Sequence, residues 1–172
     1  MRATLAYDWG EGTDLISAES VCQTPARFKE FLSDPSEVDY GYITFEEDGS
    51  VLTVMPLSIG EFVASLTGLA VPRGKEVRVA VTVCEAMFVI LQAGRVIRLL
   101  LQEATASSEW LDLLEGPVSN GPARELSRIM SLEDLVAGLP GTNVRQLEIS
   151  FTSWNGAISR LASQFARIVQ LS

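Results

Sequence analysis

A chain of 172 residues that is 47% hydrophobic and 20% charged has the size and composition of one packed domain, which excludes a disordered tail. Its formal charge of −9 falls entirely in the first third: residues 1–61 hold twelve acids against Arg2, Arg27 and Lys29, while residues 62–172 balance ten acids with ten bases. That distribution argues against direct binding to nucleic acid or to an anionic membrane, which calls for clustered Lys and Arg, and suits a basic partner.

Taken in chain order, residues 2–20 carry Arg2, Asp8, Glu11, Asp14 and Glu19 with no continuous apolar run, so no secretory signal is expected. Thr24-Pro25 reads as a cap followed by proline at the first helical position, opening a helix that stops near Asp34-Pro35. Tyr40 to Phe45 and Val51 to Met55 are β-rich runs, and Asp48-Gly49 between them predicts a hairpin turn. Ser58 and Glu61 have capping-box spacing, predicting a helix that ends at Gly68 before Pro72.

Val77, Val79, Val81 and Val83 recur with a period of two, as in a strand. Met87 to Leu91 is continuously apolar, and Ala93-Gly94 turns the chain into a further strand over Arg95 to Leu101. A single helix over Ala86 to Leu101 is disfavoured by its central glycine and four β-branched residues. This stretch is also broken by Gln92, Gly94, Arg95 and Arg98, short of the ~20 clean apolar residues of a membrane span, so the expectation is a soluble cytoplasmic protein.

Short helices are expected from Ser108 to Leu114, from Pro122 to Met130, and from Ser131 to Gly138. Leu147, Ile149 and Phe151 alternate with Glu148, Ser150 and Thr152 as one more strand. The last element reads as an amphipathic helix, with Ile158, Leu161, Ala162, Phe165 and Val169 on one stripe and Arg160, Arg167 and Gln170 opposite. This order predicts a single α+β domain over 1–172: a mostly antiparallel sheet of about five to seven strands packed by helices, closed by a C-terminal helix.

The chain has no histidine, which removes Ser-His-Asp and Cys-His nucleophilic sites, histidine zinc sites and histidine general bases together. Gly68 to Glu76 shares glycines with a phosphate-binding loop but has one residue too many between them. It also puts Glu76 where a hydroxyl should meet magnesium, and runs from helix to strand. Gly10-Glu11-Gly12 lacks the third glycine of a dinucleotide fingerprint. Cys22 and Cys84 form neither a zinc spacing nor a disulfide framework, and Cys84 on a valine-rich strand reads as a small buried hydrophobe. No cofactor or metal is expected. Arg124 with Arg128, and Arg160 with Arg167, read as solvated helix faces, and Trp110 and Trp154 as packing residues.

What remains is acidic and aromatic. From Asp34 to Asp48 there are six acids and no base, with Tyr40 and Tyr42 between them. Tyr7, Asp8, Trp9, Glu11 and Asp14 repeat the mixture upstream. Aromatic anchors amid charge of one sign suit a protein interface, so the partner-binding set is Asp34, Glu37, Asp39, Tyr40, Tyr42, Glu46, Glu47 and Asp48. The expected function is a non-catalytic protein-binding module that neutralises a basic partner, as an intracellular inhibitor such as a bacterial toxin-immunity protein does. A secretion chaperone shares this profile. The other readings are an enzyme or small-ligand binder working through carboxylates, and a structural subunit with Met87 to Leu101 or the last helix at an oligomer interface.

Overall fold

The computed structural model describes residues 1–8, 15–68, 77–83, 86–93, 95–103, 123–125 and 144–172. The chain starts with β1 (Arg2–Asp8) and β2 (Leu15–Ser17), then α1 (Ala18–Gln23), a 3-10 turn over Pro25–Phe28, α2 (Lys29–Leu32) and a second 3-10 turn over Glu37–Asp39. The hairpin β3 (Tyr42–Glu47) and β4 (Ser50–Val54) leads into α3 (Ile59–Gly68). There follow β5 (Val77–Val83), β6 (Ala86–Ala93), β7 (Val96–Glu103), β8 (Ala123–Glu125), β9 (Val144–Ser150) and the helix α4 (Phe151–Leu171). The fold is α+β with antiparallel pairing and a C-terminal helix, as the sequence predicts.

The expected sheet of five to seven strands is instead two sheets. One has four strands in the order β2-β1-β3-β4, the other five in the order β8-β5-β6-β7-β9. The division follows from connection lengths: β3–β4 and β5–β6–β7 are local antiparallel meanders that pair within themselves, and α3 stands between the two groups. β1 closes the first group by pairing with β3, and β9 closes the second by pairing with β7.

Local chemistry explains the other departures. The helix expected from Thr24 is divided, because Pro25–Phe28 winds as a 3-10 turn before Lys29–Leu32 continues as α-helix. Ala123–Glu125 is a strand paired with β5, not part of a helix, and the remainder of that expected helix lies outside the described residues. The helices expected over 108–114 and 131–138 also lie outside them. The strand expected through Thr152 stops at Ser150, which caps α4: its Oγ accepts the Ser153 N–H at 3.2 Å.

One face of the four-stranded sheet is the core. Leu5 and Tyr7 on β1, Ile43 and Phe45 on β3, and Leu52 and Val54 on β4 are buried, as period-two alternation requires. Helix α4 packs against β1 with α1 and α3 beside it, burying Trp154, Ala157, Ile158, Leu161 and Ile168. Phe45 stacks on Trp154 with ring centroids 6.0 Å apart. Ile97 and Leu99 of β7 and Leu147 and Ile149 of β9 join the same cluster, so both sheets share one core. Val169, expected on the apolar stripe, is half-exposed, and Ile168 takes the buried position.

The opposite face of this sheet shows Thr4, Thr44 and Thr53 in one cross-strand row, with Thr44 Oγ1 and Thr53 Oγ1 3.0 Å apart. Flanking rows place Arg2, Glu46 and Val51 at the turn end, and Ala6 and Tyr42 at the other.

Candidate partner-binding surface

β3 separates the eight predicted binding residues into two groups. Asp34, Glu37, Asp39, Tyr40 and Tyr42 lie at or before its start, and Glu46, Glu47 and Asp48 lie at its end. At about 3.4 Å per residue, Tyr42 and Glu47 are ~17 Å apart along the strand. The acids that are continuous in sequence therefore form two surfaces.

At the turn end, Asp48 and Gly49 have φ of 50° and 80° and are flanked by the Glu47–Ser50 pair. Two consecutive positive φ values make a type I′ turn, so Asp48 serves the hairpin. Glu47 is half-buried and forms an ion pair with the Met1 α-ammonium. Glu46 is exposed and stands across from Arg2. Two of the three acids at this end thus stand beside a positive group. Among the described residues, no group of three or more His, Cys, Asp or Glu side chains is placed to hold a metal ion.

The other end is built differently. Asp34 Oδ1 accepts hydrogen bonds from the Ser36 N–H at 2.9 Å and the Ser36 Oγ at 2.6 Å, closing an Asx turn behind α2. Those bonds favour the ionised form and hold the Asp34 carboxyl below its usual range. Asp39 is half-buried and accepts the Gly60 N–H at 2.8 Å, while Ser58 Oγ accepts the Glu61 N–H at 3.2 Å. Two oxygens from different parts of the chain thus satisfy otherwise orphaned donors in the first turn of α3.

Between Asp39 and the strand, Tyr40 has extended backbone (φ −112°, ψ 130°) and is 61% exposed. Gly41, next to it, is held so closely that an added Cβ would meet the Ala6 carbonyl oxygen and lie 3.1 Å from Ile59 Cδ1. Tyr40 is therefore an exposed aromatic between two braced neighbours, Asp39 bonded to the start of α3 and Gly41 close against β1 and the Ile59 side chain. Glu37 is exposed one short turn upstream. Tyr42, by contrast, is half-buried and packs on the sheet face across from Ala6.

Two residues outside the predicted binding set belong to this end. Leu57 is 55% exposed and Met55 39% exposed. Both flank Pro56 in the link from β4 to α3. The available signal is that pair of large apolar residues in a short capping link, where polar residues are the norm.

The remaining features are structural. Tyr7 is fully buried against Phe31 (ring centroids 5.3 Å), and among the described residues its hydroxyl has no hydrogen-bond partner. Burial, then the negative potential of Cys22 and Asp39, pushes its ionisation far above the usual phenol range. Cys22 is buried; burial pushes its thiol up, and Arg167, which donates to the Cys22 carbonyl at 3.0 Å, pulls the other way. That is not an activated nucleophile. Trp154 is core. Trp9, Glu11, Asp14, Cys84, Trp110, Arg128 and the glycines of both loop motifs after Gly68 and at 10–12 lie outside the described residues. No helix among the described residues is long and apolar enough to cross a membrane. Comparison with protein-family models, with curated proteins and with solved structures finds no match to this chain, so no relative's activity bears on the surface.

Proposed function

We propose that this chain is a non-catalytic binding module that captures a basic protein partner through its acidic first third, acting as an inhibitor that covers the partner's basic surface. The observation that carries this reading is Tyr40, a 61% exposed aromatic that follows Asp34, Glu37 and Asp39 in the chain and stands next to the Asp39–Gly60 hydrogen bond. From Asp34 to Glu61 the chain has seven acids and no base. Charge of one sign speeds encounter with an opposite surface, and a pre-ordered aromatic supplies short-range binding energy at little entropic cost.

The test is a capture experiment with two baits, the natural chain and a Glu37→Lys/Tyr40→Ala double variant shown by circular dichroism to be folded. A basic protein retained by the first bait, lost from the second and released at ~0.5 M salt supports the reading, since the Debye length there is only a few ångströms. Equal retention by both baits, or retention that survives that salt, counts against it.

A further inference from the structure

We infer, resting on the reading above, that the partner presents a basic segment carrying apolar side chains, and that it seats at the Tyr40–Leu57 end of the four-stranded sheet and not at the Asp48-Gly49 turn. Local charge separates the two ends. At the turn, Glu46, Glu47 and Asp48 are accompanied by Arg2, across the ladder from Glu46, and by the Met1 ammonium on Glu47. The acidic field there is reduced at short range. At the other end Asp34, Glu37, Asp39 and Glu61 have no base between them in the chain, and Arg167, which the fold brings to Cys22, donates to the Cys22 carbonyl. The nearest preceding bases are Lys29, which is exposed, and Arg27, whose guanidinium lies 5.6 Å from the Phe28 ring centroid.

Apolar exposure separates the ends in the same direction. Among the described residues of this sheet and its links, Val51, 50% exposed, is the large apolar side chain open at the turn end, whereas Leu15, Tyr40, Met55 and Leu57 are open at the other. The tie between Asp39 and Gly60, with Gly41 so near Ile59 that an added Cβ would lie 3.1 Å from its Cδ1, brings the Tyr40 segment against the chain just after Leu57. The aromatic and the leucine are thereby held at one end on short, braced links. Exposed apolar side chains accompanied by acids at one end of the sheet are complementary to a segment that alternates basic and apolar residues, and a purely basic segment would leave the apolar part wet.

Two synthetic peptides of equal length and equal positive charge test this, one alternating Lys with Leu and the other Lys with Gly. Affinities are measured by titration calorimetry at low salt. The Lys-Leu peptide is expected to bind at least ~10-fold more tightly. Leu57→Ser and Tyr40→Ala should each remove most of that advantage, while Asp48→Asn, which keeps the turn type, should leave it within ~2-fold. Equal affinity for the two peptides overturns the apolar anchor while leaving capture of a basic partner intact. Binding of neither peptide overturns both. A loss in Asp48→Asn as large as in Tyr40→Ala puts the contact at the turn and overturns the placement. A dimer in light scattering that Tyr40→Ala abolishes assigns the patch to a second copy of the chain and overturns it as well.

Discussion

The Asp39 carboxylate accepts the Gly60 N–H at 2.8 Å, joining the loop before β3 to the first turn of α3 across twenty-one residues of chain. This bond does two things. It caps a helix from outside its own sequence, and it fixes the segment that carries Tyr40. Asp39→Ala should cost about 1 kcal/mol in urea denaturation, the usual worth of a helix cap, and should weaken partner binding by loosening Tyr40. Asp39→Asn, which keeps an accepting oxygen, should recover most of both.

Two glycines should respond to alanine for different reasons. Gly41→Ala drives a Cβ into the Ala6 carbonyl oxygen, with Ile59 and Tyr7 close behind, and is expected to destabilise by about 1–3 kcal/mol or more. Gly49→Ala meets no atom within 4 Å but must hold φ at +80°, a backbone cost of about 1–2 kcal/mol. The two are distinguished by Asn, which tolerates positive φ. Gly49→Asn should recover stability relative to Gly49→Ala, whereas Gly41→Asn should not.

The orphaned Tyr7 hydroxyl makes an unusual forecast for a core residue. Tyr7→Phe removes a buried donor that has no partner among the described residues while leaving the ring against Phe31, so thermal unfolding should show unchanged or raised stability, by up to ~1 kcal/mol. A loss of more than ~1 kcal/mol would show that the hydroxyl is satisfied in solution.

Asp34 sets a pH dependence. Its folded carboxyl is held low by the hydrogen bonds from Ser36, so its contribution is present above the unfolded value of about 3.9 and is lost as pH falls through the lower folded value. Stability measured by denaturant between pH 5 and pH 2 should therefore fall less steeply for Asp34→Asn than for the natural chain. A steeper fall would contradict the Asx turn.

Local signals made some elements legible and left others hidden. The β3–β4 hairpin is readable because Asp48-Gly49 fits only one common turn between two alternating runs, and α4 because Ile158, Leu161, Ala162 and Phe165 form one stripe; its start is not, since Ser150, which caps it, continues the alternation of β9. β1 is hard to read because Ala3 and Ala6 blur the contrast between its two faces, and α1 because six residues carry little periodicity. The candidate surface was legible as composition but not as geometry. Nothing local shows that Glu47 meets the Met1 ammonium, since that contact exists only once β1 pairs with β3 in the register Arg2–Glu46. Nor does sequence proximity show that Tyr40 and Asp48 face opposite ends of one strand, or that Leu57 belongs with Tyr40.

The most direct test of the central claim is the salt dependence of affinity for the captured basic partner, measured with the natural chain and with Glu37→Lys. The account predicts that affinity falls linearly on a log–log plot as salt rises, and that Glu37→Lys weakens binding most at low salt, where screening is least. An affinity that is flat with salt, or a Glu37→Lys variant that binds as tightly as the natural chain at low salt, would contradict it.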